Sequence, residues 1–217
     1  MSLVRSAAKL AAKRVVAAAG YEGWRLSAAE RHDLPSDLRM TFREAQTYRA
    51  ISGAGELAIE EARLLSELVR ASDPSRPIIE IGTLFGYSTL VMTIAKAHDQ
   101  KIISVDNYSW NPLGLSPEVH YRTTSNRLRG AIAAENVTLL RTSAREFYRT
   151  YDGPAPSLFF CDADHSYEPT KADLTWAKSV DATVICGDDY EPQFDGVIRA
   201  VDELGGPRQL VGGLFVL

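Results

Sequence analysis

Residues 78–88 read IIEIGTLFGYS: an apolar strand-like run, a turn with two glycines and the start of a helix expected from about Ser88 to Ala97. Glycines at Gly82 and Gly86 let a ligand approach the backbone closely, and the free amides of a helix N-terminus attract a carboxylate. The spacing is G-x-x-x-G and not the G-x-G-x-x-G of dinucleotide-binding turns, which argues against a nicotinamide cofactor.

The same strand-then-helix pattern recurs along the chain after this unit. We expect strands at 78–81, 101–106, 137–140, 158–161 and 183–186, with helices at 56–70, 88–97, 118–133, 144–151, 169–180 and 196–204. Segments 209–211 and 214–217, joined by two glycines, predict a closing antiparallel hairpin. The fold class is therefore α/β: a Rossmann-like, doubly wound, seven-stranded and mostly parallel sheet.

We divide the chain into an N-terminal helical cap or lid, residues 1–55, and an α/β domain, residues 56–217. Residues 2–19 predict a helix, which is rich in alanine, carries four basic residues and no acid, and ends at Gly20. That composition is shared with organelle transit peptides, but we interpret the segment as an exposed amphipathic helix and a possible homo-oligomer contact.

The amino-acid composition limits the classes of partner that the protein is expected to bind. The chain has 217 residues, a formal net charge of −4 and a pI near 5.6, so it has no general attraction to nucleic acid, and a small-molecule substrate is favoured. No apolar run is long enough for a membrane helix. Cys161 and Cys186 both lie in strand-like runs and are interpreted as buried, reduced thiols of a cytoplasmic protein.

Acidic residues follow three of the predicted strands. Asp106 ends the second strand, where an acid accepts hydrogen bonds from ribose hydroxyls in nucleotide-binding α/β folds. Asp162 and Asp164 follow the fourth strand, and the pair Asp188 and Asp189 follows the fifth. Carboxylates that meet at one sheet edge repel one another, and a hard divalent cation such as Mg²⁺ relieves that repulsion.

The glycine turn, Asp106, the five strand–helix units and the closing hairpin together resemble the class I S-adenosylmethionine-dependent methyltransferases. The resemblance covers roughly residues 56–217. It implies that the turn binds the methionine part of the cofactor, Asp106 the ribose, and Ser143 the surroundings of the adenine. The cofactor-binding residues that it implies are Glu80, Gly82, Thr83, Gly86, Ser88, Asp106, Ser143 and Asp162.

The segments CDADHSYE (161–168) and CGDDY (186–190) are similar to metal-dependent O-methyltransferases of the catechol, caffeoyl-CoA and macrocin types. That resemblance implies metal ligands at Asp162, Asp188 and Asp189. Catechol-type enzymes have a lysine base at the position of His165, and some sugar-modifying relatives are thought to use the position of Asp164. The catalytic base is therefore predicted to be His165 or Asp164, and the lysine's replacement argues against a simple catechol.

The predicted function is methylation of a small-molecule hydroxyl, on a natural-product sugar or a phenol, with S-adenosylmethionine and Mg²⁺ or a similar cation. One alternative is a nucleotide-sugar glycosyltransferase with Asp162-x-Asp164 as its metal motif. That reading leaves the glycine turn and the pair Asp188-Asp189 unexplained. A second alternative is a non-catalytic cofactor-binding protein of the same fold, against which the intact acids argue.

Overall fold

The computed structural model describes residues 57–112, 114–134 and 136–217. The predicted cap, its helix and its oligomer contact lie outside these residues. The described helices are α1 (Ile59–Ala71), α2 (Tyr87–Ala95), α3 (Pro117–Arg127), α4 (Arg129–Ala133), α5 (Ala144–Thr150), α6 (Tyr167–Ser179) and α7 (Asp195–Asp202). The strands are β1 (Ile78–Ile81), β2 (Ile102–Asp106), β3 (Val137–Arg141), β4 (Leu158–Cys161), β5 (Val184–Gly187), β6 (Gln209–Val211) and β7 (Leu214–Val216).

The seven strands form one sheet in the order β3-β2-β1-β4-β5-β7-β6. Strands β1 to β5 are parallel, whereas β7 runs antiparallel to both β5 and β6. The predicted fold class is confirmed, including the antiparallel hairpin. The strand order reverses between β1 and β4. Strands β2 and β4 flank β1, and Ile78 of β1 pairs with Ile102 on one side and with Leu158 on the other.

Burial explains why these short runs form strands. Every residue of β1 and β4 is buried. Since successive residues of a strand point to opposite faces, both faces of the central sheet are covered, as a parallel sheet requires. Helix α1 packs against α2 and α6 against α7. Both cysteines are free and buried.

One predicted helix is wrong in detail. The segment expected as a single helix from 118 to 133 forms α3 and α4, separated at Leu128, whose φ of −89° and ψ of 3° leave the helical region. The side chain of Leu128 is fully buried and packs where a Cβ on Gly86 would lie. Packing of this leucine on the glycine turn therefore accompanies the break. In the part of the chain described here, no helix is long and apolar enough to cross a membrane.

Candidate active site

A cavity of about 510 Å³ opens at the carboxyl ends of the parallel strands. Its walls come from the turn after β1, the segment after β2, the residues on either side of Ser143 after β3, the loop after β4, and the first two turns of α6. This is where open α/β sheets bind ligands, next to the point at which strand order reverses.

The turn after β1 is shaped by its glycines. Gly82 has φ +99°, and a Cβ there would lie 1.6 Å from the carbonyl oxygen of Asp162. Gly86 has φ +80° and precedes α2 as its N-cap. Between them, Leu84 also has a positive φ of 45°. Its carbonyl oxygen accepts hydrogen bonds at 2.6 Å from the Thr124 hydroxyl and 2.9 Å from His120 Nε2, which fix the turn from α3.

Asp106 holds this turn to the next loop. One of its carboxylate oxygens accepts hydrogen bonds from the backbone amides of Thr83 at 3.0 Å and Leu84 at 2.8 Å, and the other accepts one from the amide of Tyr108 at 2.6 Å. Asp106 also lines the cavity. Its backbone contacts orient the carboxylate, and its predicted contact with a ribose stays a prediction.

Glu80 lies behind the turn and not on the cavity wall. Its side chain is fully buried and accepts hydrogen bonds from the hydroxyls of Ser88, Thr89 and Ser104. Burial raises the pKa of Glu80 to about 6, although these hydroxyls oppose the rise. The Thr83 hydroxyl shares a 2.6 Å hydrogen bond with that of Ser104. Glu80 therefore joins β1, α2 and β2, whereas Thr83 and Ser88 also line the cavity.

Ser143 has a local role that the sequence did not show. Its hydroxyl caps α5 by accepting a hydrogen bond from the amide of Glu146 at 3.2 Å. Its neighbours Thr142 and Ala144 line the cavity, and Ser143 does not appear on that wall. The predicted place of Ser143 beside the adenine stays a prediction.

Two carboxylates and an imidazole meet beside the cavity, and we call Asp162, His165 and Asp189 the carboxylate–imidazole group. One ligand atom from each residue lies within 4.8 Å of the other two. His165 Nε2 is 2.8 Å from Asp189 Oδ2 and 4.0 Å from Asp162 Oδ1. The His165 ring also contacts Phe194 edge-on, with centroids 4.5 Å apart. Asp162 and His165 line the cavity itself.

Asp188 is not part of this group, and its role as a metal ligand stays a prediction. Its side chain is buried, and one of its oxygens lies 3.1 Å from where a Cβ on Gly213 would be. Burial, together with the charge of the nearby Glu61, raises the pKa of Asp188 to about 8. Asp189, in contrast, has a φ of +66°, a left-handed conformation that aspartate tolerates better than most residues. The two neighbouring acids thus face different surroundings.

Asp164 is exposed at the cavity rim. One of its oxygens accepts hydrogen bonds from the Ser166 amide at 2.9 Å and hydroxyl at 2.6 Å. These bonds lower the pKa of Asp164. A carboxylate with a lowered pKa is a weaker proton acceptor, and the assignment of the base to His165 or Asp164 stays a prediction.

Trp110 and Asp173 also line the cavity. Trp110, on the segment after β2, is 63% exposed at the cavity mouth, whereas the neighbouring Tyr108 packs in the core against His120. Asp173 of α6 is buried and lines the cavity, and the sequence interpretation missed it. Its signal was an acid on the buried face of α6, together with Thr170, Leu174 and Ala177.

Comparison with known proteins decides the family. A family model described as a methyltransferase domain matches residues 79–190. The chain belongs to this family. The predicted methyltransferase is thus confirmed, and the matched residues of the methyltransferase contain the glycine turn, Asp106 and the carboxylate–imidazole group. No curated protein sequence matches the chain. None of these comparisons supports a glycosyltransferase.

Solved structures show the same fold. An O-methyltransferase from Bacillus cereus, in complex with SAH, has a TM-score of 0.62 and 19% identity to this methyltransferase, covering 88% of this chain and 94% of that one. The O-methyltransferase TomG from Streptomyces achromogenes, involved in tomaymycin synthesis and solved with SAM, has a TM-score of 0.59 and 19% identity, covering 88% and 93%.

Proposed function

We propose that this methyltransferase transfers a methyl group from S-adenosylmethionine to a hydroxyl of a small molecule, assisted by a divalent cation. The observation that carries the proposal is that the glycine turn and the carboxylate–imidazole group share one cavity: Gly82, Asp162 and His165 all line it. A donor-binding turn beside a cation-binding group is the arrangement that metal-assisted methyl transfer to oxygen requires.

The residues of the cavity fit a nucleoside-type methyl donor. The turn at Gly82 offers close backbone approach, and Asp106 presents a fixed carboxylate to hydroxyl groups. When bound, S-adenosylmethionine supplies an activated methyl group on its sulfonium. The two structural neighbours were solved in complex with SAH and SAM, which supports the same donor here.

The carboxylate–imidazole group fits a divalent cation. Two carboxylates supply the oxygen ligands that Mg²⁺ prefers, whereas an imidazole is more typical of Mn²⁺, Fe²⁺ or Zn²⁺ sites. A bound cation would lower the pKa of an acceptor hydroxyl. His165 Nε2 faces both carboxylates, so it has one of two roles during turnover: it holds the cation or it accepts the hydroxyl proton.

We propose that the acceptor is a sugar of a natural product or a phenol. Trp110 supports this proposal, because an exposed indole at the cavity mouth stacks on the face of a sugar ring or an aromatic ring. We also propose that the enzyme acts in the cytoplasm.

The decisive experiment combines donor binding with methyl transfer. Calorimetric titration with S-adenosylhomocysteine should show binding with and without Mg²⁺. Transfer of a radiolabelled methyl group to a panel of sugars and phenols should require added cation. If transfer continues at full rate in chelator, cation assistance is excluded, and if S-adenosylhomocysteine does not bind at all, the donor assignment is wrong.

His165→Asn separates the two roles of the imidazole. Loss of cation affinity, measured by Mn²⁺ titration in the absence of acceptor, would assign His165 as a ligand. Unchanged cation affinity with a large loss of rate would assign it as the base. Asp189→Asn is the matched comparison, because it changes the other partner of the 2.8 Å contact with His165.

A further inference from the structure

Asp173 is a buried carboxylate on the cavity wall that has no assigned role in the proposed reaction. It lies on the second turn of α6 and is only 4% exposed. One of its oxygens accepts a hydrogen bond from the Tyr148 hydroxyl at 2.7 Å. The other oxygen is approached by the thiol of Cys161 at 3.6 Å. A thiol is a weak donor, so this second oxygen is poorly satisfied.

The poorly satisfied oxygen of Asp173 lowers the stability of the protein unless a bound ligand donates a hydrogen bond to it. A buried polar atom without a good partner is destabilising, and for a carboxylate the cost is larger than for a neutral group. Burial raises the pKa of Asp173 to about 6, as expected for a carboxyl with too few donors. Tyr148 itself is held by stacking on Trp176, with ring centroids 4.4 Å apart, so its hydroxyl is fixed on the first oxygen. The second oxygen therefore suits an incoming N–H donor.

The surroundings of Asp173 suit a flat ring. Pro169 precedes Asp173 by one helical turn on α6, and Ala144 precedes Tyr148 by one turn on α5. Residues four apart lie on the same helix face, so Pro169 and Ala144 lie next to the Tyr148–Asp173 pair, and both line the cavity. Two small apolar walls with one polar acceptor form a pocket for a heteroaromatic amine.

The loop after β3 offers such an amine only hydroxyl acceptors, from Thr142 on the cavity wall and from Ser143, and a carboxylate is a stronger acceptor than a hydroxyl. The hydroxyl of Ser143 caps α5, and Ala144 carries no polar atom. We propose that Asp173 recognises the 6-amino group of the adenine of the methyl donor and so selects adenosyl over other nucleosyl donors. This inference rests on the proposed function, because it takes S-adenosylmethionine as the donor.

The test compares S-adenosylhomocysteine with S-inosylhomocysteine, in which a carbonyl oxygen replaces the 6-amino group, by calorimetric titration without acceptor. The unmodified protein should bind the adenosyl compound at least about tenfold more tightly, the factor expected for a hydrogen bond to a charged group. Asp173→Ala should bring the two affinities within about threefold of each other. Asp173→Asn should invert the preference, because its side-chain amide can donate to the inosine oxygen.

Tyr148→Phe is the matched control. It removes the other hydrogen bond of Asp173 but leaves the carboxylate in place, so the preference for adenosyl should persist. If the Asp173 variants bind both compounds with the unmodified protein's ratio, the inference is wrong while the proposed donor stands. If the unmodified protein binds neither compound, the proposed function itself fails.

Discussion

Gly82 has no room for a side chain, which makes it the most sensitive position of the turn. We expect Gly82→Ala to lower the free energy of unfolding by at least about 3 kcal/mol, because the new Cβ would displace the end of β4 and φ is +99°. Urea unfolding measures this. Gly130→Ala is the control, since a Cβ there meets nothing within 4 Å, and it should change stability by about 1 kcal/mol or less. Equal effects of the two variants would contradict the packing argument.

Glu80 predicts a pH dependence of stability. Its pKa is about 6 in the folded protein against a reference of 4.5, so the folded state binds the proton more tightly than the unfolded state does. The contribution of Glu80 is therefore fully present below pH 4.5 and falls by about 2 kcal/mol as pH rises past 6. Glu80→Gln cannot ionise and should lack this fall.

The measurement is the free energy of unfolding of Glu80→Gln and of the unmodified protein at pH 4.5 and pH 7. The variant should gain about 2 kcal/mol relative to the unmodified protein between these values. Glu67→Gln, on the exposed side of α1, is the control and should stay within about 0.5 kcal/mol. A constant difference between Glu80→Gln and the unmodified protein would contradict the assignment.

The positions of some site residues could be predicted from the sequence, whereas those of others could not. Gly82 and Asp106 lie on the cavity as expected, because strand ends fix where the backbone goes. Asp188 does not join the carboxylate–imidazole group and Ser143 does not line the cavity, because the Asp188 side chain is buried and the Ser143 hydroxyl caps α5. Neither arrangement can be read from residue type alone.

Helix α3 holds the glycine turn in place through hydrogen bonds to the Leu84 carbonyl oxygen, and Thr124→Val tests this contribution. Loss of the 2.6 Å hydrogen bond to the Leu84 carbonyl should weaken S-adenosylhomocysteine binding by about threefold to tenfold and cost about 1 kcal/mol of stability. Thr123→Val is the matched control, because its hydroxyl bonds within its own helix, to the carbonyl of Val119. Calorimetry on both variants tests this, and equal affinities would show that α3 does not hold the turn.

Element boundaries were mostly predictable, since β-branched runs between proline or glycine clusters favour short buried strands. Strands β1 and β4 match the predicted bounds, 78–81 and 158–161. The division between α3 and α4 was not predictable, because Leu128 packs on a turn about forty residues earlier in the chain. Tertiary contacts of this kind override the local helical pattern.

The cavity is lined by loops from both sides of the point where the strand order reverses, between β1 and β4. We expect S-adenosylhomocysteine at one hundred times its dissociation constant to raise the free energy of unfolding by about 2.7 kcal/mol. Amide hydrogen exchange should slow in both β2 and β4, because the loops that follow both strands line the cavity. Protection confined to residues 78–106 would show that the second half of the domain does not contribute to binding.

The position of β7 also determines when the domain can fold during its synthesis. This strand lies between β5 and β6, and Phe215 is fully buried in the main hydrophobic core. A ribosome-bound chain that stops before residue 214 therefore carries an unpaired edge on β5 and an unfilled core, even though all the residues lining the described cavity have been made. Such a nascent chain exposes apolar surface that chaperones bind, and it keeps this surface exposed until β7 has been synthesised and pairs with β5.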